Sequence, residues 1–281
     1  MTTATDGIVT LTQYTDPMCT WCWGSEPIVR HLQTEYGEQL QVRFVMGGLI
    51  EDFDAFYDAA NDISEPGEVG PHWLEASDHH GMPVDTAIFE QDPAQSTYPA
   101  SIAFVAARKQ DRTRSHRYLR RLREAYATEV RNVNHRGEQI EIAESVGLDT
   151  QTFTTALDDG SARAEFEADL SETRDAGVRA FPTYHLAGPA GERRLEGFQS
   201  FEQLDAVLRD IAPSLESNPV PPIREFIAEY GSVATQEVAE VYDLSPGKAR
   251  QSLASLTDAG YVRREQRGNG AFWHSIDRGE Y

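Results

Sequence analysis

Lysine is almost absent from this chain. Of 25 basic residues only Lys109 and Lys248 are lysine, and the rest are arginine. Cysteine is as scarce, with Cys19 and Cys22 the only two in 281 residues. Two cysteines cannot make a four-thiolate zinc site, and no His-x3-5-His pair is present to complete a mixed one. No metal or organic cofactor is therefore assigned. No apolar run approaches the ~20 residues of a membrane-spanning helix, so no membrane span is expected. Met1 to Asp6 is polar and lacks a basic n-region, so it does not read as a secretory signal. The expected compartment is the cytoplasm, where a disulfide is usually catalytic or sensing rather than structural.

What the chain has in excess is negative charge. The formal net charge is −21. Residues 1–219 carry 37 acidic and 18 basic side chains, and residues 220–281 carry 9 and 7. Disorder does not follow, because aliphatic and aromatic runs recur along the chain. An acidic, lysine-poor surface is expected of a protein from a salt-rich cytosol, where a screening length of ~3 Å at 1 M salt makes self-repulsion tolerable.

The two cysteines lie in Asp16-Pro17-Met18-Cys19-Thr20-Trp21-Cys22-Trp23-Gly24, spaced C-x-x-C. A β-branched run over 7–14 precedes them and a helix-like run over 25–36, with Ile28, Val29 and Leu32 on one side, follows. Strand, CxxC, helix is the context of a thioredoxin-type redox motif. Thiols at i and i+3 share a helix face, and the first sits among unpaired N–H groups that favour a thiolate. Such positions lower a thiol to roughly 3.5–7.5. Cys19 is assigned as the nucleophile and Cys22 as the resolving thiol. An inert disulfide is the plainer alternative, but so short a loop removes little chain entropy.

A second strand is expected within 39–50, which makes a parallel β-α-β crossover. From 51 to about 177 the pattern turns helical: a short helix at 52–61, a loop at 63–70, then helices at 99–109, 116–130, 136–146, 150–157 and 162–176. The sheet resumes with strands at 180–186 and 193–198 around a turn at 188–191, and Ser200 caps a helix over 201–211. The expected class is α/β, a thioredoxin-like fold with a large helical insertion.

These residues resemble the DsbA family of thiol–disulfide oxidoreductases, most closely its FrnE-like branch. The resemblance rests on 16–24 and on Gly177-Val178-Arg179-Ala180-Phe181-Pro182-Thr183, and spans roughly residues 7 to 211. It implies that Pro182 is a cis-proline facing the dithiol, with no N–H of its own and an open edge beside it for an extended substrate. Two positions depart from the oxidising members. Trp21 stands where histidine precedes the second cysteine, and Phe181 stands where valine or threonine precedes the proline. A less oxidising couple is expected. Trp21, Trp23 and Phe181 would rim an apolar surface for substrate, with Trp23 as a core residue the alternative. Glu26 is a candidate proton relay to Cys22, against a solvated carboxylate on the helix face. His72, His79 and His80 read as surface histidines.

Residues 1–213 thus form one domain and 214–222 a linker. Residues 223–281 show helices at 223–230, 235–242 and 246–259, the last opened by Ser245 and Pro246, then a hairpin through 267–270. This resembles a winged helix-turn-helix. Lys248, Arg250, Arg263, Arg264 and Arg267 would be its nucleic-acid contacts. The unit as a whole is slightly acidic, however, which favours a protein contact over DNA. The expected function is a protein-disulfide oxidoreductase of unassigned direction. Its partners would be protein thiols or disulfides and a small-molecule thiol or thioredoxin-type reductant. The alternative is a redox-sensing regulator or adaptor in which the CxxC state controls DNA or partner binding by the C-terminal unit.

Overall fold

The computed structural model describes residues 8–59 and 61–276. Met1 to Asp6, Gly7 at the start of the expected strand, Ala60 within the expected 52–61 helix and residues 277–281 lie outside the described residues.

The central strand is β1 (Val9–Thr15), buried at nearly every position, as its β-branched sequence suits. It pairs in parallel with β2 (Leu40–Met46) and antiparallel with β3 (Thr183–Gly188), which pairs with β4 (Gly191–Glu196). The order is β2-β1-β3-β4. The crossover from β1 to β2 is not one helix. The CxxC segment forms its own short helix, α1 (Thr20–Gly24), and the chain bends at Ser25 before α2 (Glu26–Tyr36), with Pro27 in its first turn. Ile28, Val29, Leu32 and Tyr36 of α2 face the sheet.

Among the described residues seven α-helices stand between β2 and β3: α3 (Val69–His80), α4 (Ile88–Gln91), α5 (Tyr98–Gln110), α6 (Arg112–Thr128), α7 (Arg136–Ser145), α8 (Thr150–Asp158) and α9 (Ser161–Asp175). The last five follow the expected pattern. The first part of the insertion differs. The helix expected over 52–61 is a single 3-10 turn at Phe53–Ala55, and α3 starts inside the expected loop. Glycine, proline and three histidines dilute the apolar period of α3, and only tertiary contact through Trp73, Ala76, Ser77 and His80 makes it a helix. Helix α10 (Phe201–Ile211) is capped by Ser200, which exchanges hydrogen bonds with Gln203.

The C-terminal unit consists of α11 (Ile223–Tyr230), a short strand β5 (Ser232–Ala234), α12 (Thr235–Val241), α13 (Pro246–Asp258), β6 (Val262–Arg267) and β7 (Gly270–Ser275). Its antiparallel sheet runs β5-β7-β6, and it has its own core around Phe226, Val238, Leu253 and Trp273. It is docked, not tethered. The connecting stretch runs along the first domain, with Leu215 buried and the Asn218 N–H donating to the Glu35 carbonyl at 2.7 Å. Helix α12 lies against α2. The β6–β7 turn clasps the loop after α3: the Asn269 N–H donates to the Val84 carbonyl at 3.0 Å, and Asn269 Oδ1 accepts from the Val84 N–H at 2.8 Å. A Cβ on Gly268, at φ +50°, would lie 2.1 Å from the Val84 oxygen, so this approach requires glycine.

Candidate functional site: a buried dithiol at the end of the sheet

The turn after β1 is fixed by Asp16, which is fully buried. Its carboxylate accepts from the N–H groups of Met18 (2.8 Å) and Leu49 (2.9 Å) and from Thr97 Oγ1 (2.7 Å). It therefore ties the approach to the dithiol to the exit of β2 and the start of α5. Burial pushes its carboxyl up against those hydrogen bonds.

Cys19 is the N-cap of α1, and its Sγ accepts from the Cys22 N–H at 3.4 Å. Both cysteines are free thiols. They differ in access: Cys19 is 6% exposed and Cys22 0%. Across the site, Cys19 Sγ lies 3.8 Å from the Phe181 carbonyl oxygen, and the Phe181–Pro182 peptide is cis. Phe181 lies over Gly47, where a Cβ would fall 2.0 Å from its ring. Beside Cys19 opens an apolar pocket of about 200 Å³, lined by Met18, Trp21, Ile50, Trp73, Tyr126 and Phe181 among others.

The two thiols share their titration, and the outcome differs from the simple helix-terminus expectation. Hydrogen bonding to Cys22 raises the Cys19 thiol, burial and the neighbouring charge add to this, and the Cys22 N–H only partly opposes it. Burial also raises Cys22, but the hydrogen bond from Cys19, the charge of Arg123 and a hydrogen bond from Thr15 outweigh it, so Cys22 is lowered.

The other expected site residues separate into two groups. Trp21 is exposed and packs edge-on against His79 and His80 and beside Phe198, so Trp21 and Phe181 do flank Cys19. Trp23 does not rim a surface. It is 1% exposed, its Nε1 donates to the Pro83 carbonyl at 2.9 Å, and it stacks on Phe272 of β7. Two helical steps of about 100° each from Trp21 turn it from the substrate side into the core. Glu26 is not a solvated carboxylate; it is buried, paired with Arg123 and 3.8 Å from Arg120 Nε. His80 is buried and neutral over a wide range, lowered to about 4 by burial and by His79, and its Nδ1 accepts from the Met82 N–H at 3.1 Å.

The five basic residues of the C-terminal unit also separate. Lys248, Arg250, Arg263 and Arg264 are exposed. Arg267 is not available for a nucleic acid, because it lies between Glu124 (2.6 Å), Glu129 (2.5 Å) and Glu265 (2.7 Å). Acidic residues of the first domain draw it inward, a pairing that its sequence neighbourhood does not show. Among the described residues no group of His, Cys, Asp and Glu could hold a metal ion, and no helix is long and apolar enough to cross a membrane.

Fold and site together define a thioredoxin-fold protein with a CxxC dithiol, and the chain belongs to the thioredoxin family, whose model matches residues 13–205. Among curated proteins it is similar to the ClpXP adapter protein SpxH of Halalkalibacterium halodurans, at 27% identity over 94% of this chain and 88% of that protein. It is also similar to SpxH of Bacillus subtilis, at 28% identity over 94% and 88%. Among solved structures it resembles the cytosolic disulfide reductase DsbM of Pseudomonas aeruginosa (TM-score 0.57, 24% identity, 71% of this chain and 98% of that one). It also resembles BdbD of Bacillus subtilis (TM-score 0.50, 14% identity, 75% and 90%). The likeness to DsbA-type neighbours gives the fold; the SpxH likeness extends over nearly the whole chain.

Proposed function

We propose that this protein is a cytoplasmic thiol–disulfide oxidoreductase acting on protein disulfides. The observation that carries the reading is the unequal access of the pair: Cys19 alone reaches the surface, beside Phe181 and Pro182. Cys19, as its thiolate, attacks one sulfur of a substrate disulfide. A Cys19–substrate disulfide forms, and the other substrate sulfur leaves as a thiolate. Cys22, deprotonated, then attacks Cys19 Sγ, releases the second substrate thiolate and closes the Cys19–Cys22 disulfide. Two electrons pass from the dithiol to the substrate, and a small-molecule thiol or a thioredoxin-type reductant restores the dithiol. The reverse sequence oxidises a substrate. Trp21, in place of histidine, supplies no cationic partner, which suits the less oxidising direction. Pro182 and Phe181 hold the substrate backbone, and Trp21 its apolar side chains.

The test is disulfide reduction with a dithiol at high salt. Turnover lost in Cys19→Ser, with a mixed disulfide trapped in Cys22→Ser, is the expected result. A trapped species through Cys22 instead would overturn the roles.

A second reading has its own support. The SpxH relatives are named as ClpXP adapters, and their similarity covers 94% of this chain, so it takes in most of the C-terminal unit. By contrast 71% of this chain accounts for 98% of DsbM. In this reading the protein presents a partner protein without turnover, and the dithiol state sets the strength of binding. We read the C-terminal unit as a winged helix-turn-helix used for protein contact. Its hairpin turn and Arg267 are spent on the first domain, while Arg250 and Arg264 stay exposed. Under the adapter reading the Cys19→Ser/Cys22→Ser protein still binds its partner; under the enzyme reading it is inert.

A further inference from the structure

Strand alternation divides the charges of β6. Arg263, Glu265 and Arg267 share one face, where Glu265 pairs with the two arginines at 3.0 and 2.7 Å, and Glu124 and Glu129 of the first domain complete Arg267. Arg264 and Gln266 share the other face, joined by an Arg264 Nη2 to Gln266 Oε1 hydrogen bond of 2.7 Å. That face borders a groove of about 460 Å³. Arg250 of α13 and Thr235 and Gln236 of α12 line it across from Arg264, and Gly81 and Pro83 of the first domain close one side. The closure is tight, since a Cβ on Gly270 would fall 2.7 Å from Pro83 Cβ. Among the described residues no Asp or Glu lines the groove, although the chain holds 46 of them. Neither Arg250 nor Arg264 is in an ion pair there, and both are exposed. The groove also holds a spare donor. The Trp273 indole can only donate, and it donates to Thr235 Oγ1 at 2.9 Å, so the Thr235 hydroxyl proton is left for another acceptor.

We propose that this groove docks an extended acidic segment of a partner protein, whose aspartate or glutamate side chains pair with Arg250 and Arg264. Guanidinium forks match carboxylates in shape as well as charge, and clustered arginines are a recurring means of reading acidic motifs. A DNA duplex suits the surface less well. Gly81 and Pro83 wall the groove beside α13, and Arg267, the wing cation that would hold a second phosphate, is taken by Glu124 and Glu129. The net charge of −21 does not forbid an acidic ligand. At ~1 M salt a screening length of ~3 Å removes the long-range repulsion, while charges in contact still pair. The inference rests on the reading of the C-terminal unit as a protein-contact surface; it does not depend on turnover by the dithiol.

The experiment follows the fluorescence anisotropy of a short labelled peptide of alternating glutamate and serine as full-length protein is added, at low and at high salt. The same peptide with glutamine for glutamate and a labelled DNA duplex are run beside it. The glutamate peptide should bind, and the glutamine peptide and the duplex should not. Arg250→Gln and Arg264→Gln should each weaken binding about fivefold, the upper range for an exposed ion pair. Arg250→Glu should weaken it further, whereas Arg193→Gln, an equal loss of charge on β4, should leave it unchanged. Both groove arginines are exposed, so their variants should fold, and circular dichroism checks this. Equal binding of the glutamine peptide, or unchanged affinity in folded Arg250→Glu protein, overturns the inference. So does a glutamate peptide that fails to bind the wild type; with the duplex also unbound, that result leaves the protein-contact reading in place. Duplex binding that Arg250→Glu abolishes would remove both.

Discussion

Trp23 and Phe272 lie stacked with ring centroids 6.4 Å apart and planes 23° from parallel, although 249 residues separate them in sequence. Trp23 follows Cys22 directly, so the C-terminal hairpin packs on the back of the redox helix. The Arg120 guanidinium sits 4.4 Å from the Trp23 ring and 5.9 Å from Phe272, so one buried cation packs against both rings.

Phe272→Ala should therefore destabilise the whole chain, not only its C-terminal part. Removing a fully buried phenylalanine costs about 3–5 kcal/mol. Chemical unfolding followed by tryptophan fluorescence reads this directly, and a midpoint equal to wild type would show that the hairpin does not bear on Trp23.

Glu237 has no exposed surface and lies 2.8 Å from Arg30 and 3.1 Å from Arg120, both on the first domain, while capping its own helix through the Ala234 N–H at 2.6 Å. Glu237→Ala leaves two buried cations short of a partner, a loss of about 3–5 kcal/mol. The C-terminal unit should become protease-sensitive before the first domain. Loss of resistance in both at once would contradict this.

Stability should fall in mild acid. His80 and His116 are both lowered from 6.5 to about 4, chiefly by burial. Between these values the unfolded chain binds more protons than the folded one, so stability is complete above about pH 6.5 and is lost as pH falls toward 4. The contribution is on the order of 3 kcal/mol for each histidine. Denaturant midpoints across this range check it, and His80→Gln should flatten the slope by its share.

Salt should raise the melting temperature. A net charge of −21 repels itself at low ionic strength, and screening relieves this. The buried arginine–glutamate pairs are shielded from salt and should not offset the gain. A protein most stable without salt would contradict the reading of its surface.

Much of this was legible before any coordinates. The strand before Cys19, the helix over 201–211 and the helix over 223–230 are local matters: β-branching, a serine cap and an apolar period each act within a few residues. Helix α3 was hidden because its own sequence favours no state, and its hold comes from Trp73 packing on Phe89 and Tyr126 and from His80 packing against Trp21 of α1.

The sequence by itself determined that a dithiol stands at the start of a helix after a buried strand, and that an acidic chain carries a distinct C-terminal unit. The tertiary structure alone decided which way each charge and ring faces. Trp23 turned inward, Arg267 was taken by Glu124 and Glu129, and Arg123 was taken by Glu26 and Thr15. The reason is range. Propensity and periodicity act over a few residues, whereas a buried charge is settled by whichever opposite charge or dipole the fold brings within a few ångströms, and here those partners come from 97 to 143 positions away.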